Sequence, residues 1–130
     1  NKETNRKYSD SRLSQRALRE IYLRAFEIII REEGPWAIMS SYNVINGRRA
    51  SESRELLTTI LREEWGYAGL VMSDWWTRGE HYKEILAGND LKMANGYPER
   101  VEEAMGLGAV NRSDLETCAR RVLELILKID

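Results

Sequence analysis

The feature that most constrains this chain is the alternation of amphipathic helical stretches with short apolar runs. Five stretches show the apolar spacing of a helix: 11–33, 53–65, 81–87, 98–105 and 113–129. Three short apolar runs lie among them: 36–42, 69–73 and 90–94. Short runs bounded by turn residues favour buried strands, and strands that alternate with helices predict right-handed βαβ units. We therefore predict an α/β fold with about three parallel strands and flanking helices.

Local signals give the ends of several helices. Gly34 and Pro35 are expected to end the first helix, and Ser53 is a plausible N-cap for the second. Ser113 and Glu116 have the spacing of a capping box, which predicts that the last helix begins at Ser113.

Composition excludes several classes of protein. The 130 residues suggest one domain of modest size, and a net charge of -1 does not fit a nucleic-acid binder. One cysteine and one histidine exclude an internal disulfide framework and argue against a zinc site, so we predict no metal or other cofactor. No apolar run approaches the roughly 18 residues that cross a bilayer. The chain opens on Asn1 without a methionine, so we expect it to be part of a longer protein, and its localisation is not indicated.

Polar and aromatic residues follow the predicted strands. In parallel α/β folds, ligands bind at the carboxyl ends of strands. These ends are residues 39–43, 73–76 and 93–95, and we expect them to face one side. That side would carry Asp74, the phenol of Tyr42 and two indoles.

Asp74 and its neighbours allow two interpretations. Aspartate is favoured as a helix N-cap, but a carboxylate held at a strand end also suits a nucleophile or a base. Trp75 and Trp76 suit loop packing, or a sugar whose apolar C–H face stacks on an indole. We expect His81 to be an exposed first-turn residue of a short helix.

Four ordered motifs resemble family 3 glycoside hydrolases of the β-glucosidase type. The stretch "SDWW", residues 73–76, resembles the nucleophile motif of that family. "NKETNRKYSDSRLSQRALREIYLRAFE" resembles the segment that follows the family's lysine–histidine motif. "AIMSSYNVING" and "LLTTILREEWGYAGLVMSDWW" resemble the strands and helix before and at the nucleophile, and "AGNDLKMANG" resembles the last barrel strand.

The resemblance implies a fold and a set of roles. The chain would be a single partial domain, residues 1–130, forming the second half of a (β/α)8-like barrel. Asp74 matches the nucleophile of a retaining enzyme. Tyr42 matches a tyrosine that hydrogen-bonds it, Trp75 packs at the first sugar subsite, Met39 lines the same pocket, and Trp76 is a candidate for the pocket edge.

The resemblance also limits what this chain can do. The family's sugar-binding lysine and histidine would precede Asn1, and its acid/base comes from a later domain or loop. We therefore expect a parent β-glucosidase or β-xylosidase that binds a carbohydrate substrate, with little activity in this chain. The alternative is a non-catalytic half-barrel module that self-associates through unpaired strand edges.

Overall fold

The computed structural model describes residues 3–130, and its strands and helices are short and numerous. The strands are β1 (Asp10–Ser11), β2 (Ala37–Ser40), β3 (Val44–Ile45), β4 (Arg48–Arg49) and β5 (Leu70–Ser73). The α-helices are α1 (Gln15–Ala17), α2 (Arg24–Glu33), α3 (His81–Ala87), α4 (Pro98–Gly106) and α5 (Arg112–Ile129). Two π-helical segments, Leu18–Tyr22 and Glu55–Glu64, and a 3₁₀ turn, Ala50–Glu52, complete the list.

The central sheet is a parallel pair of four-residue strands, which confirms the predicted parallel arrangement of strands with flanking helices. β2 pairs with β5 in a register that runs from Ala37 opposite Leu70 to Ser40 opposite Ser73. The predicted third strand is reduced to one parallel bridge, between Met72 and Leu91.

The third strand is short because its backbone ladder with β5 stops one step after the Leu91 bridge. The backbone N–H groups of Asp90 and Leu91 both donate to the carbonyl of Val71, at 2.7 and 3.2 Å. The N–H of Ser73 donates to the carbonyl of Leu91 at 2.9 Å, which completes the bridge. The next donor, the N–H of Met93, bonds Oγ of Ser73 at 2.9 Å instead of a backbone carbonyl, so the regular parallel ladder does not continue.

A small second sheet lies beside the first and was not predicted. β1 pairs with β3 in parallel, and β3 pairs with β4 as an antiparallel hairpin. The two turn residues, Asn46 and Gly47, both have positive φ angles, 51° and 83°. Asn-Gly between two short runs is a strong hairpin signal, and it was available in the sequence.

The predicted helix ends are partly right. Gly34 ends α2 in the left-handed region with φ 54°, and Ser53 Oγ accepts a 3.3 Å hydrogen bond from the N–H of Leu56. The predicted start of the last helix at Ser113 is wrong. The N-cap is Asn111, which forms a reciprocal capping box with Asp114. The predicted box, Ser113 with Glu116, lies two residues too late.

Two apolar clusters form the core. The first joins α2, the Glu55–Glu64 segment and β5 through these side chains: Ile30, Leu57, Leu61, Tyr67, Val71 and Ala87. The second joins α3, α4 and α5 through Ile85, Val101, Ala104, Val110 and Cys118. In contrast, Ile21 and Phe26 in the first helical region are 69% and 62% exposed. In residues 3–130 we find no helix with the length and apolar character needed to cross a membrane.

Candidate active site

The carboxyl ends of β2 and β5 lie side by side, and Asp74 follows directly from them. Ser40 and Ser73 are opposite each other in the last pair of the register. The N–H of Asp74 donates a 3.1 Å hydrogen bond to the carbonyl of Ser40, which continues the ladder by one step. The sheet therefore fixes the backbone of Asp74 at the edge where ligands bind in parallel α/β folds.

Asp74 does not cap a helix in the described residues. Its Oδ1 accepts a 2.7 Å hydrogen bond from the N–H of Trp75, and the next helix, α3, begins seven residues later at His81. Asp74 is half-buried and lines the groove described below. This geometry removes the N-cap interpretation of Asp74.

Tyr42 lies beside Asp74. Its ring is buried, and its hydroxyl donates a 2.5 Å hydrogen bond to the carbonyl of Trp75. Burial raises the pKa of Tyr42, and the neighbouring carboxylate of Asp74 raises it further, while the charge of Arg6 opposes the rise. The phenol is therefore a neutral hydrogen-bond donor at neutral pH.

Two cations near Tyr42 were missed in the sequence. The guanidinium carbon of Arg6 lies 4.9 Å from the centroid of the Tyr42 ring, and Nζ of Lys7 lies 4.8 Å from it. Both belong to an irregular polar segment that carries no periodic signal. The only signal for Arg6 and Lys7 in the sequence is the resemblance of residues 1–27 to the family segment that follows the lysine–histidine motif.

A groove of about 760 Å³ opens next to Asp74. Its lining includes Ser41, Asn43 and Asp74, together with Met39, which is 58% exposed. Asp10, Ser11, Arg12 and Ser40 add further polar lining. The remaining residues are mainly apolar, and many come from the first helical region, with Phe26 among the exposed ones.

The two indoles stand outside this groove. Trp75 and Trp76 are 48% and 57% exposed, and their rings form a T-shaped pair with centroids 5.4 Å apart and an interplanar angle of 78°. The structure therefore places Tyr42 beside Asp74 and Met39 in the same groove as Asp74, and it leaves both indoles exposed on the residues that follow Asp74.

His81 is in the first turn of α3 as predicted, but its predicted exposure is wrong, because this side chain is half-buried. Its Nδ1 accepts a 3.4 Å hydrogen bond from the N–H of Tyr97. Burial, and then the charge of Lys92, lower the pKa of His81, while the charge of Glu84 opposes the fall. The residues after the third strand fold back on the start of α3, which helical periodicity does not predict. Within residues 3–130, no group of three or more histidine, cysteine or acidic side chains is placed to hold a metal ion.

Comparisons with known proteins agree with the resemblance seen in the sequence. The family model described as the glycosyl hydrolase family 3 N terminal domain matches residues 2–125. Beta-glucosidase A of Butyrivibrio fibrisolvens is 62% identical over 116 residues, which cover 89% of this chain and 14% of that protein. An exo-α-(1→6)-L-arabinopyranosidase of Bifidobacterium longum is 41% identical and aligns with 98% of this chain and 17% of its own length.

Solved structures show the same relationship. The structure of β-glucosidase 3B from Thermotoga neapolitana in complex with α-D-glucose superposes with a TM-score of 0.90 and 39% identity. The match covers 95% of this chain and 19% of that one, so the chain spans less than a fifth of these relatives. The family resemblance is confirmed, and the chain belongs to the glycosyl hydrolase family 3 N-terminal domain family.

Proposed function

We propose that this segment carries the nucleophile of a retaining β-glycosidase that removes terminal, non-reducing β-D-glucosyl residues. The observation that carries the proposal is the position of Asp74, half-buried at the paired ends of β2 and β5 and adjacent to Tyr42. The names of the relatives, β-glucosidases and an arabinopyranosidase, support a sugar substrate.

In this proposal each site residue has a separate task. Asp74 attacks the anomeric carbon and forms a covalent glycosyl-enzyme, which water later hydrolyses. Tyr42 stays protonated and donates a hydrogen bond that orients the site around the carboxylate. Trp75 offers an apolar face to the sugar, Met39 lines the same pocket, and Trp76 forms its edge.

We further propose that residues 1–130 form the second half of a (β/α)8-like barrel. β2, β5 and the Leu91 bridge would be three consecutive barrel strands. The second edge of β2 would then pair with a strand from the other half, and the apolar groove beside it would be filled. A closed barrel of this kind places its catalytic residues at the carboxyl ends of several strands.

The isolated chain should hydrolyse glycosides very slowly. A retaining mechanism needs a second carboxyl group about 5–5.5 Å from the nucleophile, and in the family that group comes from a later part of the protein. General acid–base assistance is typically worth about 10²–10⁴-fold, so its loss alone would suppress turnover. Turnover of a chromogenic β-glucoside by these 130 residues would overturn this part of the proposal.

A fluorinated glucoside that traps the covalent intermediate tests the assignment of the nucleophile. In the longer protein, a 2-deoxy-2-fluoro glucoside should label the peptide that contains Asp74. Asp74→Asn should abolish labelling, and the matched control Glu80→Gln, six residues later in the same loop, should keep it. Labelling at another carboxylate, or of Asp74→Asn, would remove Asp74 from the role. The rates of labelling by the corresponding fluorinated xylosides and arabinosides, measured in the same way, would show which sugar the site prefers.

A second candidate function is a non-catalytic, self-associating module, and the exposed apolar groove favours it. Phe26 and Ile29 in its lining are 62% and 48% exposed. A large apolar groove on a soluble chain is a site where another chain can bind. In this case the chain would keep the residues of a glycosidase site without catalysing hydrolysis.

Light scattering on a sizing column separates the two candidates for the isolated chain. Self-association predicts a dimer that Phe26→Ser weakens. The matched control is Leu127→Ser, which removes a side chain that is 76% exposed but lies on α5, away from the groove. A stable monomer across micromolar concentrations would contradict self-association and leave the glycosidase proposal unaffected.

A further inference from the structure

The loop that carries Asp74 and the two tryptophans rests on a buried ion pair. Nζ of Lys92 and Oε2 of Glu84 are 2.5 Å apart, and the two side chains are 1% and 0% exposed. Lys92 follows the Leu91 bridge, and Glu84 lies in the middle of α3. Neither residue was singled out in the sequence, where both resemble ordinary surface charges.

All three ammonium hydrogens of Lys92 have partners. Besides Glu84, Nζ donates to Oγ1 of Thr77 at 3.0 Å and to the carbonyl of Gly79 at 3.0 Å. Thr77 in turn donates a 2.7 Å hydrogen bond to Oε1 of Glu84. A lysine ammonium has three donors, so the network is complete and two of its contacts go to the loop after Asp74.

The loop fits closely around this pair. A Cβ added to Gly79 would lie 2.3 Å from Oε1 of Glu84, so only glycine allows this approach. The next N–H, of Glu80, donates a 2.7 Å hydrogen bond to Oε1 of Glu52. The loop from Thr77 to Glu80 is therefore anchored at three of its four residues, Thr77, Gly79 and Glu80, on groups from outside it.

The segment between the sheet and these anchors is short and strained. Only Trp75 and Trp76 separate Asp74 from Thr77, and Trp76 has a φ of 55°. A bulky side chain is strained in that region, and the conformation persists only where the surroundings hold it. The N–H of Trp76 donates a 3.1 Å hydrogen bond to the carbonyl of Met93, next to Lys92.

We propose that the Lys92–Glu84 pair is a positioning device that sets the geometry of Asp74 and its two tryptophans through Thr77 and Gly79. This inference rests on the proposed function, because it assigns the pair a role in the same site. A buried ion pair is poor evidence for stability, since apolar residues of similar volume often serve as well or better. Apolar side chains could not replace the hydrogen bonds that Lys92 donates to Thr77 and to the carbonyl of Gly79.

The test uses two variants and a matched control. Lys92→Met removes the ammonium and leaves Glu84 buried without its partner. The double variant Glu84→Leu/Lys92→Met replaces both charged side chains by apolar ones of similar volume. No charge is then left unpaired in the interior, but the hydrogen bonds to the loop are still missing. Lys83→Met is the control, because it makes the same substitution at an exposed position of α3.

In the longer protein we expect both variants to lower kcat about 10²-fold, because a displacement near 1 Å at a reacting group has an effect of that size. KM should stay within about twofold, and the rate of labelling at Asp74 should fall with kcat. Lys83→Met should behave as wild type. A double variant with wild-type kcat would overturn the proposal, since the pair would then act on stability alone.

A second readout does not depend on catalysis. In the 130-residue chain, the indole N–H resonances of Trp75 and Trp76 should shift and gain mobility in the double variant. Those of Trp36 and Trp65, which lie outside this loop, should stay in place and report an intact fold. Unchanged Trp75 and Trp76 resonances would overturn the positioning role. Failure of Asp74 to label in the wild-type protein would instead overturn the proposed function.

Discussion

The sharpest stability prediction concerns Asp90, a fully buried carboxylate held by two arginines. Its Oδ2 contacts Nη2 of Arg62 at 2.7 Å, and its Oδ1 contacts Nη1 of Arg121 at 2.7 Å. The N–H of Val71 in β5 also donates to Oδ2, at 2.9 Å. One carboxylate thus joins the Glu55–Glu64 segment, the central sheet and α5.

Removing this carboxylate leaves charge behind in the interior. The side chain of Arg62 is 9% exposed, and its Nε has no hydrogen-bond partner among residues 3–130 even with Asp90 present. Burial lowers the pKa of Arg62, and the charge of Asp90 opposes that fall. Breaking a buried ion pair by deleting one partner typically costs about 3–5 kcal/mol, because the other charge is left uncompensated.

We therefore expect Asp90→Ala to lower the free energy of unfolding by about 4 kcal/mol, a large part of the 5–15 kcal/mol that is typical of a domain. For 130 residues the unfolding entropy is about 0.27 kcal/mol/K, so the melting temperature should fall by about 15 °C. With a typical urea slope near 2 kcal/mol/M, the midpoint of urea unfolding should fall by about 2 M.

Equilibrium urea unfolding, followed by circular dichroism, measures this change. Asp90→Asn keeps one acceptor oxygen but loses the charge, so we expect it to lose about half as much stability. Glu124→Ala is the matched control, because the ion pair of Glu124 with Arg120 is long, at 4.0 Å, and exposed, so its loss should change stability by less than about 0.5 kcal/mol. A loss below about 1 kcal/mol for Asp90→Ala would show that the network does not hold these elements together.

Three further predictions use other parts of the fold. The pKa of His81 is lowered by burial and by the charge of Lys92, so its contribution to stability is present above pH 6.5 and lost as pH falls through the folded pKa. Acid titration of unfolding should show this loss in wild type and a flatter profile in His81→Asn. Burial raises the pKa of Cys118 from 9.0 to about 11, so the contribution of this thiol is present below pH 9 and lost as pH rises to about 11. Cys118→Ala should remove that part of the alkaline loss, and an unchanged pH profile would contradict it. Asn111→Ala removes the N-cap of α5 and should cost about 1 kcal/mol in urea unfolding, with no change in the spectrum of the folded state.

Much of the fold could be predicted because it follows from regular apolar spacing. The two strands of the central sheet, α3, α4 and α5 lie close to the predicted stretches, since each has an apolar face that packs against a neighbour. The third strand was overestimated, because its apolar residues alternate with Asp90 and Lys92, whose side chains make buried ionic contacts that periodicity does not reveal. The small hairpin was missed although Asn46-Gly47 signals it.

The candidate site was predictable only where it depends on the sheet. Asp74 and Met39 lie at or near strand ends, so the parallel arrangement brings them to one edge. The position of Arg6 over the ring of Tyr42 depends on an irregular segment, and irregular segments have no repeat from which contacts could be inferred. The charged partners of the loop after Asp74 are Glu52, Glu84 and Lys92, which lie outside that loop. Their charges suggested exposed rather than buried side chains.

The conformation of that loop bears on the choice between the two interpretations of Asp74. A helix cap needs an aspartate followed directly by helical residues, whereas here Trp76 has a positive φ and α3 begins only at His81. Strained residues held by their surroundings concentrate at functional sites. This loop is strained at Trp76 and is anchored by a buried lysine and glutamate. A role in placing Asp74 and the exposed indoles explains both features better than the start of a helix does. If the double variant relaxes the loop without unfolding the chain, that strain is maintained by Lys92 and Glu84 for the site and not for the core.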